Sequence, residues 1–274
     1  MRRHIGIFLL IALATIGYGF ALATRDLTYN GQDRLDVYPA SSGTPVVIWV
    51  HGGGWSIGDK KNVGMKAKSC QERGYLMVSV NYTLMPKADY REQAQDVAQA
   101  VAWVRGNISK YGGDPNKIVL MGHSAGAHLA ALVGTDESFL ATQNLTLSCL
   151  KGVVLLDGAA YDVPLQLKSA TRKRQRDMYL SVFGSALEGQ KAASPIEHVK
   201  AGKGIPPFLL IPVERRADST QQANLLSQAL AASGVSARVC PAPNKTHETL
   251  NKELGQAGDP PTDQVFQFIQ QCTR

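Results

Sequence analysis

Apolar positions along the chain fall into two periods. Runs at 46–50, 76–80, 118–121, 153–156 and 208–211, broken only by Ser79, are short. Runs of that kind, without alternation, read as strands buried on both faces. Residues 62–73, 90–105, 220–233 and 263–271 carry the longer period of helices. In 90–105, Val97, Val101 and Val104 are spaced by four and three and leave one core face. Val265, Phe266 and Ile269 are expected to do the same for the last helix, while Gly74 and Gly234 mark helix ends. Residues 235–239 alternate and read as the last strand. Residues 26–29 and 34–38 alternate around Asn30-Gly31, which predicts an opening antiparallel hairpin. Residues 111–115 read as a turn. Strands alternating with helices predict one α/β domain, its mostly parallel sheet covered on both faces by right-handed crossovers. Residues 158–205 break this rhythm and show no clear period.

Residues 1–23 stand apart. Arg2 and Arg3 precede an apolar stretch without charges, and Ala21-Leu22-Ala23 offers a small-x-small cleavage site. The order predicts a signal peptide cut after Ala23, a mature domain of residues 24–274, and a secreted or periplasmic protein without stable membrane insertion. With 274 residues, 44% of them hydrophobic, the chain has material for one well-buried core. The formal charge of +7 is mild, and much of it lies in Arg172-Lys173-Arg174-Gln175-Arg176. Such a run reads first as a solvated face, with attraction to an acidic polymer or a membrane surface as the other reading. Cys70, Cys149, Cys240 and Cys272 allow three full disulfide pairings or four free thiols, and sequence does not choose. No metal-ligand spacing, phosphate loop or nucleotide fingerprint occurs, so neither a cofactor nor nucleic acid is expected.

Two stretches carry the chemistry. Gly122-His123-Ser124-Ala125-Gly126 joins the apolar run 118–121 to a helix-like run of small residues. A serine at such an apex is thrust clear of the sheet, and the glycines on either side let strand and helix meet closely. His51-Gly52-Gly53-Gly54-Trp55 follows the run 46–50, and its glycines let backbone N–H groups approach a substrate carbonyl.

Together these motifs resemble the α/β-hydrolase fold, and more narrowly the hormone-sensitive-lipase-like and feruloyl-esterase-like carboxylesterases with an HGGG-type oxyanion loop. Gly58-Asp59-Lys60, Gly112-Gly113-Asp114-Pro115 and Lys245-Thr246-His247 extend the resemblance over roughly residues 45–270. It implies a serine hydrolase with the triad in chain order serine, acid, histidine. Ser124 is then the nucleophile. Of six histidines, only His247 follows the last strand. The family expects the acid after the strand ending at Ile211, which favours Asp218; Glu214 and Asp157 are the alternatives. Gly53, Gly54 and Ala125 are the implied oxyanion donors, and residues 158–205 a partial cap. The expected activity is hydrolysis of small or medium acyl esters, or of acetyl or feruloyl groups on carbohydrate. An amide hydrolase and a non-catalytic binding module on the same fold are the competing readings.

Overall fold

The computed structural model describes residues 22–274, so the charged and apolar parts of the expected leader lie outside the described residues. The chain opens with the hairpin β1 (Thr24–Thr28) and β2 (Arg34–Tyr38), paired antiparallel. There follow β3 (Thr44–Val50), α1 (Lys66–Glu72), β4 (Leu76–Val80), α2 (Tyr90–Asn107), β5 (Gly113–His123), α3 (Ala125–Thr135), the short α4 (Glu137–Ala141) and β6 (Leu150–Leu156). Helices α5 (Val163–Ser169), α6 (Lys173–Phe183) and α7 (Leu187–Ala192) fill the stretch without a period. The chain closes with β7 (Phe208–Ile211), α8 (Ala217–Ala232), β8 (Ala237–Val239), α9 (His247–Glu253) and α10 (Pro260–Cys272).

The eight strands form one sheet in the order β1-β2-β4-β3-β5-β6-β7-β8. Every pairing from β4 onward is parallel. Period two in the strands separates two cores. Val46, Ile48, Val50, Leu120, Val153 and Leu210 face α2, α3 and α8. Val47, Trp49, Val119, Met121, Val154 and Ile211 face α1, α9 and α10. Both sets are buried, which is why these strands carry unbroken apolar runs.

Three expectations shift in detail. The first crossover helix begins at Lys66 rather than at residue 62, because 59–65 is spent on turns, with Gly64 at φ +54°. Residues 113–115 belong to β5, where Gly113 pairs with Thr44. On α10 the deep positions are Val265, Phe268 and Ile269; Phe266 is half-buried and stacks on Tyr75. Spacing by three and four selects Phe268, whose ring packs where Gly152 leaves room in β6.

Candidate active site

The turn from β5 into α3 forces the serine into an unusual backbone state. Ser124 has φ +55° and ψ −121°, a conformation that costs on the order of 1–3 kcal/mol in a non-glycine residue. Its N–H is anchored to Leu156 O at 3.0 Å, and the strand and helix on either side hold it there. The flanking glycines are steric necessities: a Cβ on Gly122 would lie 2.2 Å from Gly126 O, and one on Gly126 2.2 Å from Val50 O.

The glycine loop leaves β3 beside this elbow. Gly53 and Gly54 both have positive φ, and a Cβ on Gly53 would meet Ile57 O at 1.9 Å. His51 braces the loop from behind. It is buried, stacks on Tyr82 with ring centroids 4.4 Å apart, and donates from Nδ1 to Gly52 O. A cavity of about 630 Å³ opens above, lined by Gly53, Gly54, Ser124, Ala125, Asp157 and His247, among others. From the segment 158–205, Ala159 and the α6 side chains Gln175, Met178 and Tyr179 complete its wall.

His247 begins α9, where Thr246 caps the helix with a reciprocal Thr249 contact that fixes the imidazole's starting point. Ser124 Oγ lies 3.0 Å from His247 Nε2, and His247 Nδ1 lies 2.6 Å from Asp157 Oδ2. So the structure brings Ser124 and His247 together, and the carboxylate on the imidazole is that of Asp157, not Asp218. The reason is where α8 starts. It begins at Ala217, so Asp218 sits in its first turn, and its carboxylate turns to Arg216 Nη2 at 3.2 Å and Gln166 Nε2 at 3.5 Å. Glu214 is exposed. Asp157 directly follows β6 at φ +42°, with its side chain fully buried.

The Asp157 carboxylate is well supplied with donors. Val213 N–H donates to Oδ1 at 2.9 Å, and Arg216 Nη1 shares Oδ2 with His247. Burial by itself raises this carboxyl. The His247 hydrogen bond and the Arg216 charge outweigh it and hold the group well below the usual carboxylate range. Arg216 Nη1 also lies 2.8 Å from His247 Nδ1. Asp157 favours the tautomer with a proton on Nδ1, which frees Nε2 to accept from Ser124. Arg216, donor only, favours the opposite tautomer. Arg216 leaves no mark in the sequence, since a loop arginine carries no pattern of its own.

His123 and His128 have structural roles. His123 is buried, donates from Nε2 to His247 O at 2.9 Å, and is pushed down to about 3 by burial and the neighbouring imidazole. His128 is fully buried among Trp55, Tyr90 and Phe183, donates to Ala193 O at 2.8 Å, and is lowered to about 4 by burial. Cys70, Cys149, Cys240 and Cys272 are all free thiols, so none of the three pairings forms. Among the described residues, no cluster of His, Cys, Asp or Glu has the makings of a metal site, and no helix is long and apolar enough to cross a membrane.

The sequence model of the BD-FAE family matches residues 35–230, a span that stops short of β8 and His247. The isoprenylcysteine alpha-carbonyl methylesterase ICME of Arabidopsis thaliana is 32% identical over 250 residues, covering 82% of this chain and 56% of that protein. Esterase LipQ of Mycobacterium tuberculosis is 39% identical over 134 residues, covering 45% of this chain and 32% of that protein. The chain thus spans about half or less of the length of these curated relatives. Among solved structures, esterase B from Lactobacillus rhamnosis superposes with a TM-score of 0.76 at 21% identity, covering 92% of this chain and 87% of the other. A bifunctional GH43-CE protein of Bacteroides eggerthii gives 0.76 at 22% identity, with 92% and 35% covered. With most of its length matched by the family model and its sheet shared with solved esterases, the chain is an α/β-hydrolase-fold protein and belongs to the BD-FAE family.

Proposed function

We propose that this protein is a serine carboxylesterase working through an acyl-enzyme. The observation that carries the reading is the unbroken relay from Ser124 Oγ through His247 to a buried, ionised Asp157, at the floor of a cavity roofed by the glycine loop. A serine hydroxyl is a weak nucleophile until a base takes its proton. His247 Nε2 takes it as Oγ attacks the ester carbonyl, and Asp157 holds the tautomer and faces the imidazolium that forms. The oxyanion is received by backbone N–H groups of Gly53, Gly54 and Ala125. The last also lies at the start of α3, whose dipole favours negative charge. His247 then returns the proton to the leaving alcohol, and water repeats the cycle to free the acid.

A cavity of this size, walled by Trp55, Ile57, Met178 and Tyr179, supports small or medium acyl groups. Acetyl or feruloyl esters of carbohydrate follow from the motif resemblance, and the relatives' names support ester chemistry over amide chemistry. Residues 158–205 act as a partial cap, a reading supported by the α6 side chains on the cavity wall. The leader over 1–23 directs export, so the mature protein begins at Thr24. Mass spectrometry from the native host should find that terminus; a chain retaining Met1 in the membrane would refute it.

The test is a panel of p-nitrophenyl and sugar esters on the purified protein, with a fluorophosphonate probe mapped by mass spectrometry. Turnover and an adduct on Ser124 are expected. No adduct and no turnover would leave a binding module, and p-nitroanilide cleavage as fast as that of esters would make it an amide hydrolase.

A further inference from the structure

A second, larger cavity of about 1100 Å³ adjoins the first. The two share seven lining residues, Gly53, Gly54, Gln175, Arg216 and His247 among them, but the second touches neither Ser124 nor Ala125. Its distinguishing walls are cationic. Arg172 and Arg174 come from the start of α6, Arg215 and Arg216 from the loop before α8, and Asp218 is the lone carboxylate among its lining residues. A further recess of about 720 Å³ beside His247 is bounded again by Arg172 and Arg215.

The charges on this wall are not alike. Arg216 is committed to Asp157 and Asp218, which removes Asp218 as a counter-charge for the others. Lys245, at the edge of the recess, is held by Asp259 and Glu253. Arg172, Arg174 and Arg215 form no ion pair with any described residue. The first turn of α6 contains no acidic residue, and cations there oppose the helix dipole. That arrangement does not serve the fold. Three exposed guanidinium groups without a counter-charge rim a concave space that also touches His247 and raise a positive potential there, and a guanidinium's fork of donors suits a carboxylate.

The position says which part of a substrate meets them. The imidazole hands its proton to the leaving oxygen, so the alcohol half departs past His247. The arginine-lined cavity includes His247 and omits the nucleophile. We infer, resting on the esterase reading, that this cavity is the subsite for the alcohol half and selects alcohols bearing a carboxylate, such as hydroxy acids and acidic sugars. The acyl half stays in the smaller cavity over Ser124.

A matched pair of esters tests this: 4-acetoxyphenylacetate and its neutral primary amide. The charge is one methylene removed from the ring, so the phenol leaving groups are nearly equivalent. Wild type should prefer the carboxylate, with kcat/KM at least about tenfold higher at low ionic strength, and the preference should shrink as salt screens it. In the R172Q/R174Q/R215Q variant the carboxylate-to-amide ratio should fall at least about tenfold. Calorimetric titration of both proteins with 4-hydroxyphenylacetate and its amide supplies a readout independent of turnover, and the wild type alone should distinguish them. An unchanged ratio, or equal binding of both ligands by wild type, overturns the subsite. Absence of turnover on both esters, with the binding difference intact, would instead sink the esterase reading and leave the carboxylate site standing.

Discussion

The two walls of the candidate site are built by different means. One wall, the glycine loop and the serine elbow, is set by backbone sterics. Gly126 has no room for a Cβ, Gly53 has none either, and Ser124 is held at positive φ by the strand and helix it joins. The other wall, Asp157, Arg216 and His247, is a network of side chains from the loops after β6, β7 and β8, in which one carboxylate oxygen receives two donors. The first wall tolerates almost no change of shape. The second can in principle be rewired by moving one side chain, and its performance rests on electrostatic balance.

Substitutions separate the two. On the backbone wall, Ser124→Ala should leave the fold intact and lower kcat by roughly 10⁴ or more, since alanine fits the elbow but supplies no nucleophile; a near-wild-type kcat on p-nitrophenyl esters would defeat the serine mechanism. On the side-chain wall, Asp157→Asn keeps the shape but lets the amide favour the wrong tautomer, as in the reference serine protease, where the loss is about 10⁴. We expect at least about a hundredfold loss in kcat/KM for Asp157→Asn and less than about tenfold for Asp218→Asn. The reverse ranking would return the acid to α8.

Arg216→Gln removes a cation lying 2.8 Å from His247 Nδ1. Asp157 then loses the guanidinium donor it shares with the imidazole, and kcat/KM should fall by roughly three- to tenfold, less than in Asp157→Asn. A loss as severe as that of Asp157→Asn would mean that Arg216 organises the relay rather than supports it.

The smallest effect concerns the packing behind the elbow. His128 is lowered by burial to about 4 in the folded state. A depressed histidine binds its proton more tightly when unfolded. Stability is therefore complete above the unfolded pKa near ~6.5 and is lost as pH falls towards the folded value. By pH 5 this one group should cost about 2 kcal/mol. Denaturant titrations should show a shallower loss between pH 7 and pH 5 in His128→Leu; equal slopes would mean that the buried imidazole does not govern the acid limb of stability.

The same contrast explains what was legible in the sequence. The inner strands announced themselves because both faces are buried. The elbow and glycine loop did so because only glycine fits where chains nearly touch. Such constraints leave a mark on residue type. The partner of His247 leaves none. Asp157 and Asp218 both follow strands, and the choice between them turns on a first helical turn beginning at Ala217, a few residues earlier than the apolar period suggests. Once Asp218 is helical it faces Arg216 and Gln166, and the histidine takes the carboxylate from the preceding strand. The helices of 158–205 were hidden for a related reason. Only one side of α6 touches the core, through Tyr179, Val182 and Phe183, and its other side is given over to charge.

The relay also has a kinetic meaning. Ser124 and His247 are 123 residues apart, and Asp157 and His247 are 90 apart. No local segment of the chain can assemble the site, and closing contacts across such separations is what slows folding. The candidate relay is complete only when His247, at the start of α9, stands against Ser124 and Asp157. On the esterase reading, turnover is a late reporter of folding, and recovery of activity on refolding should trail the return of helical signal.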